Sequence, residues 1–272
     1  MKALLLLVLA GLAMSFPVSA FAQEQKAVDP ELRRQIETVL MNFDQAYNKY
    51  DAVAIGALYT QDGGELWAWW PSVVAFASGR PAIEKRFAAL FAQRPVEVSD
   101  KLVGLYAIGN DICAIVDVAG PWKGNSVTIY VRDADTWKTR MAYVNNTAQD
   151  KKPIDSQVRQ QIQAVHKEFY EANNKRNAPA MAALYTQDAV QTLMGVMGTG
   201  TNSGQQAIEK SYEAEFASSP PECIGEFACI WAIGNDMATI SKWNCGMYKG
   251  YSVKVYVRDS ETWKIRMEYV TR

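Results

Sequence analysis

The apolar pattern along the chain changes period once, and the whole pattern then recurs. From Asp29-Pro30, an N-cap residue followed by proline at the first helical position, Leu32, Ile36, Val39, Leu40 and Phe43 recur at helical spacing. A short second helix is predicted from Asp51 to near Leu58-Tyr59. A third starts after Ser78-Gly79, with Ile83, Phe87, Leu90 and Phe91 as its apolar face, and Arg94-Pro95 ends it. Glu65 to Trp70, between these helices, reads as extended. From Val96 onward the period falls to two. Val96 to Ala107 and Ile112 to Ala119 flank the turn Gly109-Asn110, and Ser126 to Val144 (SVTIYVRDADTWKTRMAYV) is a hairpin of β-branched and aromatic runs around an acidic turn. Three helices followed by a four-stranded antiparallel meander predict an α+β domain with the helices packed on one face of a curled sheet.

Asn145 to Lys152 is polar and without period, and reads as a linker closed by Pro153. The pattern then starts again. Asp155 caps a second copy of the first helix, with Val158, Ile162, Val165, His166 and Phe169 on its apolar face, and Asn177-Ala178-Pro179 opens a second copy of the short helix. ALYTQD occurs at 57 and at 183, AIEK at 82 and at 207, and AIGND at 107 and at 232. The closing hairpin returns as SVKVYVRDSETWKIRMEYV from Ser252 to Val270. The repeating unit is a domain, not a solenoid module. Residues 23–148 and 149–272 are expected to form two such domains, each of about 120 residues and large enough for its own core. Gly198-Thr199-Gly200 is expected as a loop before a capping serine, and Asp62 and Asp188 as turn residues at a helix end.

Residues 1–22 carry a positive Lys2, an apolar run from Leu4 to Met14 and the small-x-small triplet Ala20-Phe21-Ala22, the pattern of a cleaved signal peptide. The expectation is an exported protein, periplasmic or secreted, with no membrane span after removal of that segment. Lys+Arg 28 against Asp+Glu 29 gives a formal net charge of -1. Nucleic-acid affinity rests on neutralising phosphates, so this balance argues against a nucleic-acid partner. Export makes the four cysteines candidates for disulfides. A two-residue turn at Gly234-Asn235 sets Ile233 opposite Asp236, which carries residue 223 to within one position of Cys245. A Cys223–Cys245 bridge is therefore expected, with Cys113 and Cys229 as buried free thiols.

The LYTQD helix end, the middle helix opened by GRPAIEK or GQQAIEK, and the closing hairpin with TWK together resemble the nuclear transport factor 2-like superfamily, in its SnoaL-like, ketosteroid-isomerase-like branch. The resemblance spans residues 28–270. It implies tandem cone-shaped, cystatin-like domains, each with a pocket in the hollow of its sheet, and such pockets host isomerases, dehydratases, hydrolases and pure binding modules. Members that isomerise steroids use an aspartate base, with a tyrosine and a neutral aspartate as oxyanion hole. By this resemblance the base position falls near Trp67 and Leu193, the tyrosine near Phe43 and Phe169, and the second carboxylate near Thr128 and Lys254. None is the required residue type.

The polar rows Ser126-Thr128-Tyr130 and Ser252-Lys254-Tyr256 are expected to face the pockets. The opposite, valine-rich rows then need a cover, and each domain is expected to supply it for the other. Two functional readings stay open. The first is a non-catalytic binding or scaffold protein. Trp67 and Trp69, on one side of their extended segment, would join Tyr47, Trp122 and Tyr143 in an aromatic box for a small apolar, aromatic or cationic molecule. The other is a cofactor-independent lyase, isomerase or hydrolase in the second domain. There His166, the only histidine, or Lys254 would be the base, near Tyr256 and Tyr269. The bland alternatives are a core histidine satisfied by one hydrogen bond and a snorkelling lysine. The residues form no His/Cys metal constellation, nucleophile elbow or phosphate loop, so no cofactor is expected.

Overall fold

The computed structural model describes residues 29–69, 73–93, 96–120, 123–145, 154–195 and 198–272. The expected signal peptide, most of the linker, the Arg94-Pro95 stop and Trp122 lie outside these residues, and Trp69 is described in its backbone only. The first half contains α1 (Pro30–Asn48), α2 (Ala52–Ala57), β1 (Tyr59–Trp69), β2 (Val73–Ser78), α3 (Arg80–Gln93), β3 (Ser99–Ile108), β4 (Asp111–Ala119), β5 (Gly124–Asp133) and β6 (Thr136–Asn145). The second repeats the order: α4 (Ser156–Asn174), α5 (Ala178–Ala183), β7 (Tyr185–Gly195), β8 (Gly198–Ser203), α6 (Gln205–Ala217), β9 (Cys223–Ile233), β10 (Asp236–Cys245), β11 (Tyr248–Asp259) and β12 (Thr262–Thr271). The four predicted caps close α1, α2, α4 and α5: Asp29, Asp51, Asp155 and Asn177 each accept a backbone N–H of the first turn at 2.6–3.0 Å.

Each half is one six-stranded sheet, in the orders β2-β1-β6-β5-β4-β3 and β8-β7-β12-β11-β10-β9. Each sheet is mixed, not the antiparallel meander that the sequence suggests. β1 runs parallel to β6, and β7 to β12. The intervening helix and meander supply the long crossover that parallel pairing needs. Strand β8 contains the Gly198-Thr199-Gly200 run expected as a loop. It is an edge strand, paired only with β7, and a one-sided edge needs no apolar alternation. Nor do Asp62 and Asp188 end a helix. They sit in β1 and β7, where Asp62 pairs with the buried Arg140, and Asp188 lies 3.4 Å from Arg266.

Cys223 and Cys245 form a disulfide with Cα atoms 4.2 Å apart. Ile233 does stand opposite Asp236, but a bulge at Ile240/Ser241 absorbs one residue of β9 and brings Cys223 directly opposite Cys245. Cys113 and Cys229 are free and buried.

The valine-rich faces of the two sheets share one apolar cluster. Val127, Ile129 and Met141 of the first half pack with Val253, Val255 and Met267 of the second. Tyr106 packs at a tilt of 53° against Trp231, its counterpart in the repeat, with ring centroids 4.4 Å apart, which places the pseudo-two-fold axis there. Two crossed sets of hydrogen bonds flank the cluster. Asp236 accepts from Tyr143 at 2.6 Å and from Asn145 at 2.5 Å, and Asp111 accepts from Tyr269 at 2.7 Å and Thr271 at 3.0 Å. Asp111 and Asp236 are the two aspartates of the AIGND repeat, so the ties are related by the same pseudo-symmetry. Among the described residues no helix is long and apolar enough to cross a membrane.

Candidate ligand-binding site

The hollow of the first cone holds a cavity of about 60 Å³ that opens to solvent. The inward row of β5 lines it with Ser126, Thr128 and Tyr130, and α1 adds Phe43 and Tyr47. Alternation along β1 turns Glu65 and Trp67 inward, while Leu66 joins the seam between the sheets. Asp100, at the start of β3, completes the polar set.

These polar groups are incompletely matched. Glu65 is 1% exposed. Its Oε1 accepts from Tyr59 Oη at 2.9 Å, and its Oε2 lies 4.0 Å from Arg86 Nε. Burial outweighs the Arg86 charge and raises the Glu65 carboxyl above its ordinary range. Asp44 Oδ2 accepts the backbone N–H of Asp100 at 3.0 Å, yet Oδ1 of each aspartate is sealed from solvent without a hydrogen bond. Burial, reinforced by Asp44, pushes the Asp100 carboxyl up to about 8, so it is largely protonated at neutral pH. Tyr47 is 2% exposed, its hydroxyl has no partner, and burial raises it to about 12.

The second cone has a cavity of similar size, about 60 Å³, and it is organised around an internal ion pair. Lys254 and Glu268 are each 1% exposed, with Nζ and Oε1 2.8 Å apart. Lys254 also donates to Ser252 Oγ at 2.8 Å, and its ammonium lies 4.1 Å from the centroid of the Phe169 ring. Glu268 Oε2 accepts from Tyr185 Oη and from Gln191 Nε2 at 2.9 Å. Burial alone would raise this carboxyl, but the Lys254 charge and these hydrogen bonds hold it below the usual range. On α6, Glu215 goes the other way: burial and Glu268 push it up to about 7.

His166 does not line this hollow. It packs against Phe227, ring centroids 4.1 Å apart, with Nε2 at 3.2 Å from the Gly225 carbonyl oxygen and Nδ1 unpartnered. Burial, and then the Lys254 charge, lower its pKa to about 4, so it is neutral at pH 7. Of the other expected pocket residues, Tyr47, Trp67, Thr128 and Tyr130 meet in the first hollow. Tyr143 and Tyr269 do not; they face the seam. A regular hairpin would set Tyr143 opposite Ser126 on the pocket row. The bulge at Ile129/Tyr130 leaves Arg140 unpaired and sets Tyr143 opposite Val127 instead, and the bulge at Val255/Tyr256 does the same for Tyr269. Tyr256 is fully buried among the core residues of the second cone. The pattern reading missed Glu65, Asp100, Asp44, Glu268 and Tyr185. For Glu65 the signal was present, since the alternation that pairs Trp67 with Trp69 also includes residue 65. Among the described residues no cluster of three or more His, Cys, Asp or Glu side chains is arranged to hold a metal ion.

In both halves a three-helix layer packs against a six-stranded sheet whose first strand lies parallel to its last. Each half has the cone-shaped α+β architecture that the sequence resemblance implies. No family model matches the sequence, and no curated protein is similar to it. Solved structures are similar to this chain over less than half of its length. A ketosteroid isomerase-like protein from Erwinia carotovora atroseptica is 15% identical, covers 44% of this chain and 100% of its own, and has a TM-score of 0.39. A nuclear transport factor 2-like protein of unknown function from Pseudomonas putida KT2440 is 16% identical over 44% of this chain and 89% of its own, with a TM-score of 0.37. A cystatin-like-fold domain of unknown function from Nostoc punctiforme is also 16% identical, over 43% of this chain and 78% of its own, with a TM-score of 0.37.

Proposed function

We propose that this tandem nuclear transport factor 2-like chain is a binding protein for a small, largely apolar molecule held in the first cone. One observation carries the reading: the Tyr47 hydroxyl and the Asp100 Oδ1 are sealed among aromatic side chains without partners, beside open space. Such groups cost roughly 1–3 kcal/mol each while unsatisfied, and a ligand that matches them recovers that cost. In the second cone the central carboxylate already has its partners, from Lys254, Tyr185 and Gln191. Native mass spectrometry of the purified chain, repeated after denaturation, tests the reading. A small molecule carried natively and lost on unfolding supports it, and Tyr47→Phe should weaken that retention. Retention of the molecule by a variant whose first hollow is filled, Thr128→Lys with Ala142→Glu, would refute it.

A second reading is favoured by Glu65, Tyr47 and Asp100 sharing that hollow. A buried carboxylate near a tyrosine hydroxyl and a protonated carboxyl is an arrangement suited to moving a proton next to a carbonyl group. Exchange of α-protons of small ketones into deuterated water, lost in Glu65→Gln, would support catalysis over binding alone. The amino-terminal pattern, together with a disulfide between Cys223 and Cys245, supports export to an oxidising compartment.

A further inference from the structure

The two cones place different chemistry at equivalent positions. In the repeated hairpin Thr128 stands where the second half has Lys254, and Ala142 where it has Glu268. On the first helix of each half, Phe43 stands where the second has Phe169. In the second cone these three residues form a unit, an ammonium held between a carboxylate and an aromatic face. In the first cone Thr128, Ala142 and Phe43 all border the hollow, so the volume taken by the lysine chain is open while the aromatic face remains.

The carboxylate remains as well, supplied from the neighbouring strand. Residues 65 and 142 are direct partners in the β1–β6 ladder, as 191 and 268 are in β7–β12. The acid is Glu65 in one half and Glu268 in the other, and in both it accepts from the equivalent tyrosine, Tyr59 or Tyr185. The first cone adds Asp44 and Asp100. Their counterparts, Tyr170 and Gly225, form a packed contact in which any side chain at 225 would collide with the Tyr170 ring.

We propose that the first hollow takes the ammonium group of a small amine with an aromatic or aliphatic body, seated where the Lys254 ammonium sits in the second half. This rests on the reading of that hollow as a binding site. The electrostatics run the same way: Glu268, beside its ammonium, lies below the ordinary carboxylate range, whereas Asp100 is raised to about 8. The groups facing Asp100 are Asp44 and Tyr47 from α1, Tyr130 from β5 and, across the hollow, Glu65 from β1. Arg86 of α3 also reaches Glu65, its guanidinium 4.7 Å from the Trp67 ring centroid and donating to the Ala75 carbonyl oxygen, and it does not line the hollow. An incoming ammonium would therefore ionise Asp100 and release a proton to solvent.

The experiment is isothermal titration calorimetry on the full chain near neutral pH, in two buffers of different protonation enthalpy. The probes are three phenethyl compounds that differ in their polar end: phenethylamine, phenethyl alcohol and hydrocinnamate. The amine is expected to bind about tenfold or more tightly than the alcohol, a cation–π and ion-pair margin of roughly 1.4 kcal/mol or more, with hydrocinnamate weakest. Proton release is expected with the amine alone. Asp100→Asn, an isosteric change, should abolish that release and weaken the amine about tenfold. Thr128→Lys with Ala142→Glu should exclude the amine by rebuilding the Lys254–Glu268 pair inside the hollow, with folding checked by thermal unfolding; if that variant is unfolded, Asp100→Asn carries the test. An alcohol that binds as well as the amine overturns the amine assignment and leaves the binding reading standing. Amine binding with no proton release, unchanged in Asp100→Asn, also overturns it. Failure of all three probes up to about 10 mM overturns both.

Discussion

Lys254→Met keeps most of the aliphatic side chain and removes the ammonium with its donors to Glu268 and Ser252, leaving Glu268 buried at 1% exposure. Removing one partner of a buried pair costs about 3–5 kcal/mol. Glu268 keeps the donors Tyr185 and Gln191, which favours the lower end, while the lost contact with the Phe169 face adds to the cost. A loss of about 3–4 kcal/mol at pH 8 is expected. The pH dependence makes the test specific. In the wild type the Glu268 carboxyl lies below its unfolded value of 4.5, so its stabilisation is present above that pH and fades as pH falls through the lower folded value. Without Lys254, burial raises the carboxyl above 4.5, and protonation on acidification then relieves the penalty. The variant's deficit should therefore shrink between about pH 8 and about pH 5. His166 titrates in the same window and also feels Lys254, so the comparison belongs in a His166→Leu background. Urea unfolding curves at both pH values give the numbers, and adding Glu268→Gln should recover most of the loss. A deficit below about 1 kcal/mol, or one independent of pH, would refute the assignment of Lys254 as the charge that holds Glu268 ionised.

Other outcomes follow from the same geometry. His166, lowered from 6.5 to about 4, binds its proton in the unfolded chain first, so its contribution is complete above pH 6.5 and lost as pH falls toward 4. His166→Leu, the residue type of the equivalent position 40, should remove up to about 3 kcal/mol of acid destabilisation, read from unfolding midpoints across that range. Tyr143→Phe and Tyr269→Phe, which remove matching hydrogen bonds to Asp236 and Asp111, should each cost about 1.5–3 kcal/mol by chemical denaturation, and similar values are expected if the ties are equivalent. Cys223→Ser opens a crosslink of sequence separation 22 and should lower stability by about 3 kcal/mol, while non-reducing peptide mapping of the wild type should recover the linked pair.

The fold was legible because it is written in period and in repetition. Helical spacing marked α1, α3 and α4, and turn chemistry marked the hairpins. Strands β2 and β8 were not, since β2 is an unbroken apolar run and β8 a polar, glycine-containing one, and neither alternates. Register was legible until a bulge intervened. One unpaired arginine in each closing hairpin moves Tyr143 and Tyr269 from the pocket row to the seam. The site was least legible, because its residues meet only after folding. Asp44 lies on a helix, Asp100 opens a strand far along the chain, and nothing in either local pattern sets them in contact.

The Tyr106–Trp231 contact and the crossed aspartate ties are what a symmetric dimer interface looks like when both partners share one polypeptide. In a homodimer any substitution appears twice, so a change that fills one cavity fills both. Joining the copies covalently removes that constraint, because each half varies alone while the contact between them persists. A lysine–glutamate pair inside one cavity, opposite a threonine and an alanine in the other, is a difference that two identical copies could not carry. One cone is then free to become ballast for the other.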